Sequence, residues 1–305
     1  MAEENNAPAF MQEIQKMREE LSQQQLAEAL ERRLAKTEVQ SGMTTPEYAV
    51  IANELGALYR ATARYWQGER AFKLALESIE AQEGRSDRYA TCLDNLAELY
   101  RLDGRLDECE QALDQAEALF VDHGSDEYAA CLNYRGHALM ARGRFDEAAE
   151  LYARSRAITV ANHIGTIEVA TAFQNAAHAY MQGGDFQQAD ALLREALAVY
   201  DEYGLPVNSH YVGLLNTLAV NASRQGETQE AADWMKRAEE ALGQCNVSPL
   251  DASVMFANAA ALYARAGRDD DARHAAQRAC SLVIDNALDG NPQGQRVLAA
   301  VQGMC

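Results

Sequence analysis

Nowhere does the 305-residue chain gather the roughly 20 consecutive apolar residues of a membrane span, so no membrane role is expected. Basic residues are also short: 27 Lys and Arg face 46 Asp and Glu, for a formal charge of −19. Phosphate backbones are held by Lys and Arg, so this balance argues against nucleic acid as a partner. The opening MAEENNAPAF lacks the basic start and apolar stretch of a secretory signal, and a cytoplasmic protein is expected. The six cysteines, Cys92, Cys109, Cys131, Cys245, Cys280 and Cys305, show no CxxC or CxxH spacing. No zinc motif and no disulfide framework is expected, and all six are read as inert thiols. Nothing alternates with the period of a strand, and no phosphate loop, HExxH or nucleophile constellation is present. No cofactor is expected.

What is there is repetition. LDNLAELYRLDGRLDECEQALDQA from Leu93 lies under LNYRGHALMARGRFDEAAELYARS from Leu132 and FQNAAHAYMQGGDFQQADALLREA from Phe173. Further copies start at Leu215 and Phe256, and a more worn one at Ala52, giving six at a period of about 41 residues. Such a period predicts a stack of helical units, each burying its apolar face only against its neighbours. In the first segment of each copy the apolar positions recur at i, i+3, i+4 and i+7, as in Leu93, Leu96, Ala97 and Tyr100. A glycine then recurs (Gly104, Gly143, Gly184, Gly226, Gly267), suited to the positive φ of a helix-ending turn. The second segment carries small residues at fixed places, among them Ala116, Ala196, Ala238 and Ala279, which allow close helix approach.

Helix starts are marked by Thr45-Pro46, Ser86-Asp87, Ser125-Asp126 and Ser248-Pro249. Tyr48, Tyr89, Tyr128, Val169 and Tyr211 fall on the buried stripe and read as core. Residues 1–44 read as an amino-terminal helical cap with a Ser22–Gln25 capping box. Residues 45–289 read as the six repeats, and 290–305 as a carboxy-terminal capping helix begun at Asn291-Pro292. One elongated all-α domain is predicted.

These residues resemble the tetratricopeptide repeat (TPR): Leu96-Ala97, Tyr100, Gly104 and Ala116 match its pattern, as do Gly136, Gly143 and Ala148. The period exceeds the usual 34 residues and the closing proline is missing. Repeats longer by about a turn per helix are similar to those of kinesin light chain, whose Asn-Asn-Leu-Ala run is matched by Asp94-Asn95-Leu96-Ala97 and Gln174-Asn175-Ala176-Ala177. No heptad region accompanies them. The resemblance implies a right-handed superhelical solenoid whose first helices line a concave groove that holds an extended peptide or a partner helix. Fold alone does not fix function.

Removing the buried stripe from each first helix leaves the candidate groove residues. One position holds Asn53, Asp94, Asn133, Gln174 and Asn216; the next holds Asn95, Asn175 and Asn258. Asparagine is a poor helix former, so its recurrence mid-helix needs a reason. Either the amides read a peptide backbone, with donors and an acceptor on each group, or they bond neighbouring repeats. Three residues on stand Glu98, His137 and His178, residue types that bind metal or move protons. Packed helices stand 8–10 Å apart, and one side chain from each of three helices converges poorly, so no metal site is expected. Arg60 and Arg101, which could anchor a carboxylate, and Met140 and Met181, an adaptable apolar floor, continue the face. Lysine is absent from the first helices, which argues against the lysine–asparagine carboxylate clamp of chaperone-tail binders. Acidic runs such as Asp107-Glu108 and Asp269-Asp270-Asp271 open second helices and read as solvated faces. The sequence therefore predicts a non-catalytic interaction protein that binds a segment of another protein in its groove. The alternative is a regulatory receptor for a small peptide or metabolite; an enzyme built on Glu98, His137 and His178 has no supporting motif.

Overall fold

Each copy supplies two amphipathic segments that cannot bury their stripes alone. In the computed structural model, which describes residues 9–304, both segments become helices. Cys305 and the first eight residues of the expected amino-terminal cap lie outside that range. The described residues form fifteen helices, in two compact units that divide between Arg144 and Phe145. The first unit holds α1 (Ala9–Glu20), α2 (Gln23–Ser41), α3 (Pro46–Ala61), α4 (Tyr65–Glu83), α5 (Asp87–Leu102), α6 (Leu106–Glu117) and α7 (Asp126–Ala141). The second holds α8 (Phe145–Asn162), α9 (Ile167–Gly183), α10 (Phe186–Tyr203), α11 (Ser209–Gln225), α12 (Thr228–Leu242), α13 (Pro249–Arg265), α14 (Asp269–Asp285) and α15 (Pro292–Ala300). The sequence reads as one domain, but an array held by neighbour contacts can divide at any layer. Here the division falls at the turn inside the third repeat.

The turn glycines adopt the left-handed backbone their places require, with φ of +78° at Gly104 and +88° at Gly226. In the first, worn repeat the same place is held by Ala63 at φ +55°. Thr45, Ser86, Ser125 and Ser248 each accept a backbone N–H at the start of their helices, and Ser22 with Gln25 closes a capping box. Ala75, Ala116, Ala196, Ala238 and Ala279 are fully buried, as close helix approach demands. Tyr48, Tyr89, Tyr128 and Val169 are buried too.

A recurrent polar lock ties each of three first helices to the second helix before it. The Tyr100 hydroxyl donates to Glu69 at 3.0 Å, and the Arg105 guanidinium lies 4.4 Å over the Tyr100 ring. Tyr263 donates to Glu239 at 2.9 Å under Arg268, and Tyr59 donates to Glu31 beside Arg64. Burial alone would raise the Glu69 carboxyl, yet hydrogen bonds from Arg105, Lys73 and Tyr100 hold it down at about 2.

Within each unit second helices pack on their own partner and on the next first helix, as α4 does on α3 and α5, and α10 on α9 and α11. Successive first helices also touch, α3 with α5 and α5 with α7 in one unit, α9 with α11 and α11 with α13 in the other. The first helices thus form a continuous inner wall within each unit. At one end α2 packs on α3 through buried Leu26 and Leu30; at the other α15 packs on α13 and α14 through Val297 and Val301. Cys92, Cys109 and Cys131 are buried, and burial pushes the Cys92 and Cys109 thiols up to about 12. Cys280 is disulfide-bonded, so the expectation of six inert thiols fails there. No described helix is long and apolar enough to cross a membrane.

Candidate functional site

In the second unit the wall of α9, α11 and α13 encloses a groove of about 820 Å³. Helical periodicity sets its lining. On α9, Gln174, Asn175, His178 and Met181 stand at i, i+1, i+4 and i+7, and on α13 Asp251, Val254, Met255 and Asn258 do likewise at i, i+3, i+4 and i+7. Between them α11 contributes His210, Gly213, Asn216, Thr217 and Val220. Six of the sequence-selected residues (Gln174, Asn175, His178, Met181, Asn216 and Asn258) therefore share one cavity.

The amides do two things at once. Asn258 Nδ2 donates to Asn216 Oδ1 at 3.1 Å, across neighbouring repeats. Gln174 Nε2 reaches the His210 carbonyl at 3.5 Å. One such bond leaves each asparagine further donor or acceptor capacity on the groove side. His178 contacts Gln182 at 3.1 Å, and desolvation by the surrounding wall pushes its imidazolium below the usual range, favouring the neutral ring. The His210 ring lies 3.5 Å from the Thr171 hydroxyl. The Ser248 hydroxyl donates to Asp251 Oδ2 at 2.6 Å and orients that carboxylate.

The remaining selected residues lie in the first unit. Asn95 Nδ2 donates to Asn53 Oδ1 at 3.3 Å, repeating the Asn258–Asn216 bond one unit away. Arg60 donates to the Asn95 carbonyl and to its side-chain oxygen, each at 3.4 Å. Glu98 gives both carboxylate oxygens to Arg101 at 2.7 Å, so on one helix this acid and this base neutralise each other. Asn133, His137 and Met140 are half-buried on α7, with the His137 ring edge-on to Tyr134 at 6.2 Å.

Asp94 is a correction. It is not on the groove wall: only 2% of it is exposed. It packs towards α7, hydrogen-bonded to Cys131 and near Arg135, and burial raises its carboxyl to about 7. It lies one residue, about 100° of helix, from Asn95, which is enough to turn it into the repeat interface. Among the described residues no three His, Cys, Asp or Glu side chains gather to hold a metal ion.

Sequence reasoning missed Gly213, His210 and Asp251. Gly213 had a signal. It lies mid-helix, where glycine costs about 1 kcal/mol, and other copies have Val50, Thr91, Ala130, Thr171 and Val254 there. A Cβ at Gly213 would meet no atom within 4 Å, so packing does not demand glycine. Its absent side chain leaves the middle of the groove open.

Residues 127–202 match the family model described as tetratricopeptide repeat. Among curated proteins no match is found. The fold is similar to BtubC (BKLC) from P. vanneervenii at 21% identity, covering 76% of this chain and 92% of that one with a TM-score of 0.60. It is similar to a putative kinesin light chain from Podosopora anserina with nearly identical TPR-like repeats: 21% identity, 62% and 92% of the two chains, TM-score 0.55. A Rap protein complexed with competence and sporulation factor is similar over 97% of this chain and 90% of its own, at 12% identity and a TM-score of 0.57. The family-model match over residues 127–202, the helix pairs and these likenesses agree on a tetratricopeptide-repeat-like fold, similar to that of kinesin-light-chain-like repeat proteins.

Proposed function

We propose that the chain is a non-catalytic interaction protein whose second unit binds an extended peptide segment of a partner. In this reading residues 45–289 are the six repeats, with 1–44 and 290–305 as caps. The observation that carries it is the groove between α9 and α13. It has an amide row able to pair with a peptide backbone of any sequence. Its floor is apolar, with Met181, Val220 and Val254 to take side chains, and its middle is cleared by a glycine no packing contact requires. Methionine in such a floor adapts to differently shaped guests. The similar Rap protein, solved in complex with competence and sporulation factor, supports a ligand-holding use of this architecture.

Gly213→Trp tests the proposal. A Cβ at this position meets no atom within 4 Å, so the variant is expected to fold with a melting temperature within a few degrees of wild type, which thermal unfolding checks. A library of displayed random heptapeptides is selected on the wild-type protein and counter-selected on the variant. Sequences retained by the wild type and lost on Gly213→Trp are the expected outcome. No enrichment, or enrichment indifferent to the tryptophan, overturns it.

A further inference from the structure

The charge of the groove narrows what it holds. Among the described residues lining it, Asp251 is the only carboxylate, and no Lys or Arg accompanies it. The other titratable groups facing the cavity are His178 on α9 and His210 on α11. His210 occupies on α11 the register that Asp251 occupies on α13, so the two stand at the same end of the groove. Acids at this register are frequent in the other copies, as Glu47, Glu127 and Glu168, and suit a helix N-terminus. Asp251 differs in facing this cavity. The Ser248 hydroxyl fixes its Oδ2, which leaves Oδ1 to a donor from the groove. The chain's −19 charge adds a long-range field that favours cations and repels acidic peptides.

Resting on the peptide-binding reading above, we propose that the occupant is a basic peptide, with a Lys or Arg side chain or a free amino terminus on Asp251 and an apolar side chain on the Met181–Val220–Val254 floor. Spacing sets the pattern. Asp251 and Asn258 lie seven residues apart on α13, about 10 Å at 1.5 Å per residue. Extended chain rises about 3.3 Å per residue. The basic group therefore falls within about three residues of the segment that the Asn216–Asn258 amides hold.

The test reads the composition of the groove-dependent heptapeptides and then the affinity of the consensus sequence, labelled with fluorescein, by anisotropy. Enrichment of Lys or Arg next to an apolar position is expected. Binding should weaken about 5-fold between 50 and 500 mM NaCl as the charges are screened. Asp251→Asn should weaken it about 5-fold at low salt and flatten the salt dependence, an effect that a merely structural role for the residue would not produce. Asp251→Lys should shift selection towards acidic peptides, which keeps the charge argument testable if the α13 cap loosens. Groove-dependent peptides without a basic residue, or basic peptides indifferent to both substitutions, overturn this inference and leave the peptide-binding reading standing. The absence of any groove-dependent peptide sinks both.

Discussion

Asp94 is the only carboxylate buried among the described residues. Burial is the main cause of its raised carboxyl, offset in part by the Cys131 hydrogen bond and by Arg135, while Glu117 adds to the rise. Arg135 is largely engaged elsewhere, by Asp114 at 2.7 Å and Glu117 at 3.2 Å. One Asp94 oxygen has no hydrogen-bond partner. The sign of the consequence follows from proton counting. The folded carboxyl titrates near 7 and the unfolded one near 3.8. Between those values the folded state holds a proton that the unfolded state has released, so this group lowers stability as pH rises through that window and no further above it. Asp94→Asn removes the effect. The variant should gain stability over wild type by on the order of 1–3 kcal/mol at pH 8 and nearly nothing at pH 4. Melting temperatures of both proteins across that range decide it, and an equal gain at both ends would mean that charge is not the cause. The sequence placed Asp94 in a row of amides and so on the groove. A one-residue rotation about a helix axis separates wall from interface, and a repeat pattern cannot resolve it when both positions are polar.

At the scale of the helix and its turn the sequence was far more legible. Apolar spacing, cap residues and turn glycines each point to the same helix pairs, and local and global preferences agree. The worn first copy is where they part. Ala63 holds φ +55° at the place of Gly104, in a backbone region that disfavours an L side chain by roughly 1–2 kcal/mol. Ala63→Gly should therefore stabilise the protein, by about 0.5–1 kcal/mol after the glycine's larger entropy loss on folding is allowed for. Gly104→Ala should destabilise it by a similar amount, since a Cβ there meets no neighbour and backbone conformation is the whole effect. Denaturant midpoints measure both, and a loss of stability in Ala63→Gly would count against this assignment of the turn. The groove was legible only in part. The amide rows pointed to α9, α11 and α13, but the same amides also bond repeat to repeat, as Asn258 does to Asn216 and Asn95 to Asn53. His210 and Asp251 lie in first turns, where a polar residue ordinarily reads as helix-end chemistry, and only the packed wall turns them to the cavity.

For the whole molecule, charge was plain in the sequence and the division at Arg144 was not, because the period runs through it unbroken. The 46 acids outnumber the 27 bases so far that single arginines serve two carboxylates each. Arg135 bridges Asp114 and Glu117, Arg142 bridges Asp107 and Glu110, and Arg194 bridges Asp190 and Glu230. Two opposed effects of salt follow. Screening weakens these pairs, but exposed pairs contribute only about 0.2–1 kcal/mol each. Screening also relieves repulsion among the unpaired carboxylates, which acts on the compact state as a whole. With a net charge of −19 the second effect wins. The melting temperature should rise by a few degrees between about 10 and 300 mM NaCl, as the Debye length falls from about 30 Å to well below 10 Å. A falling melting temperature would mean that the shared arginines outweigh the excess of acids. The same salt series separates folding from recognition, because the stability of the fold should climb while the affinity of a basic peptide for the groove declines.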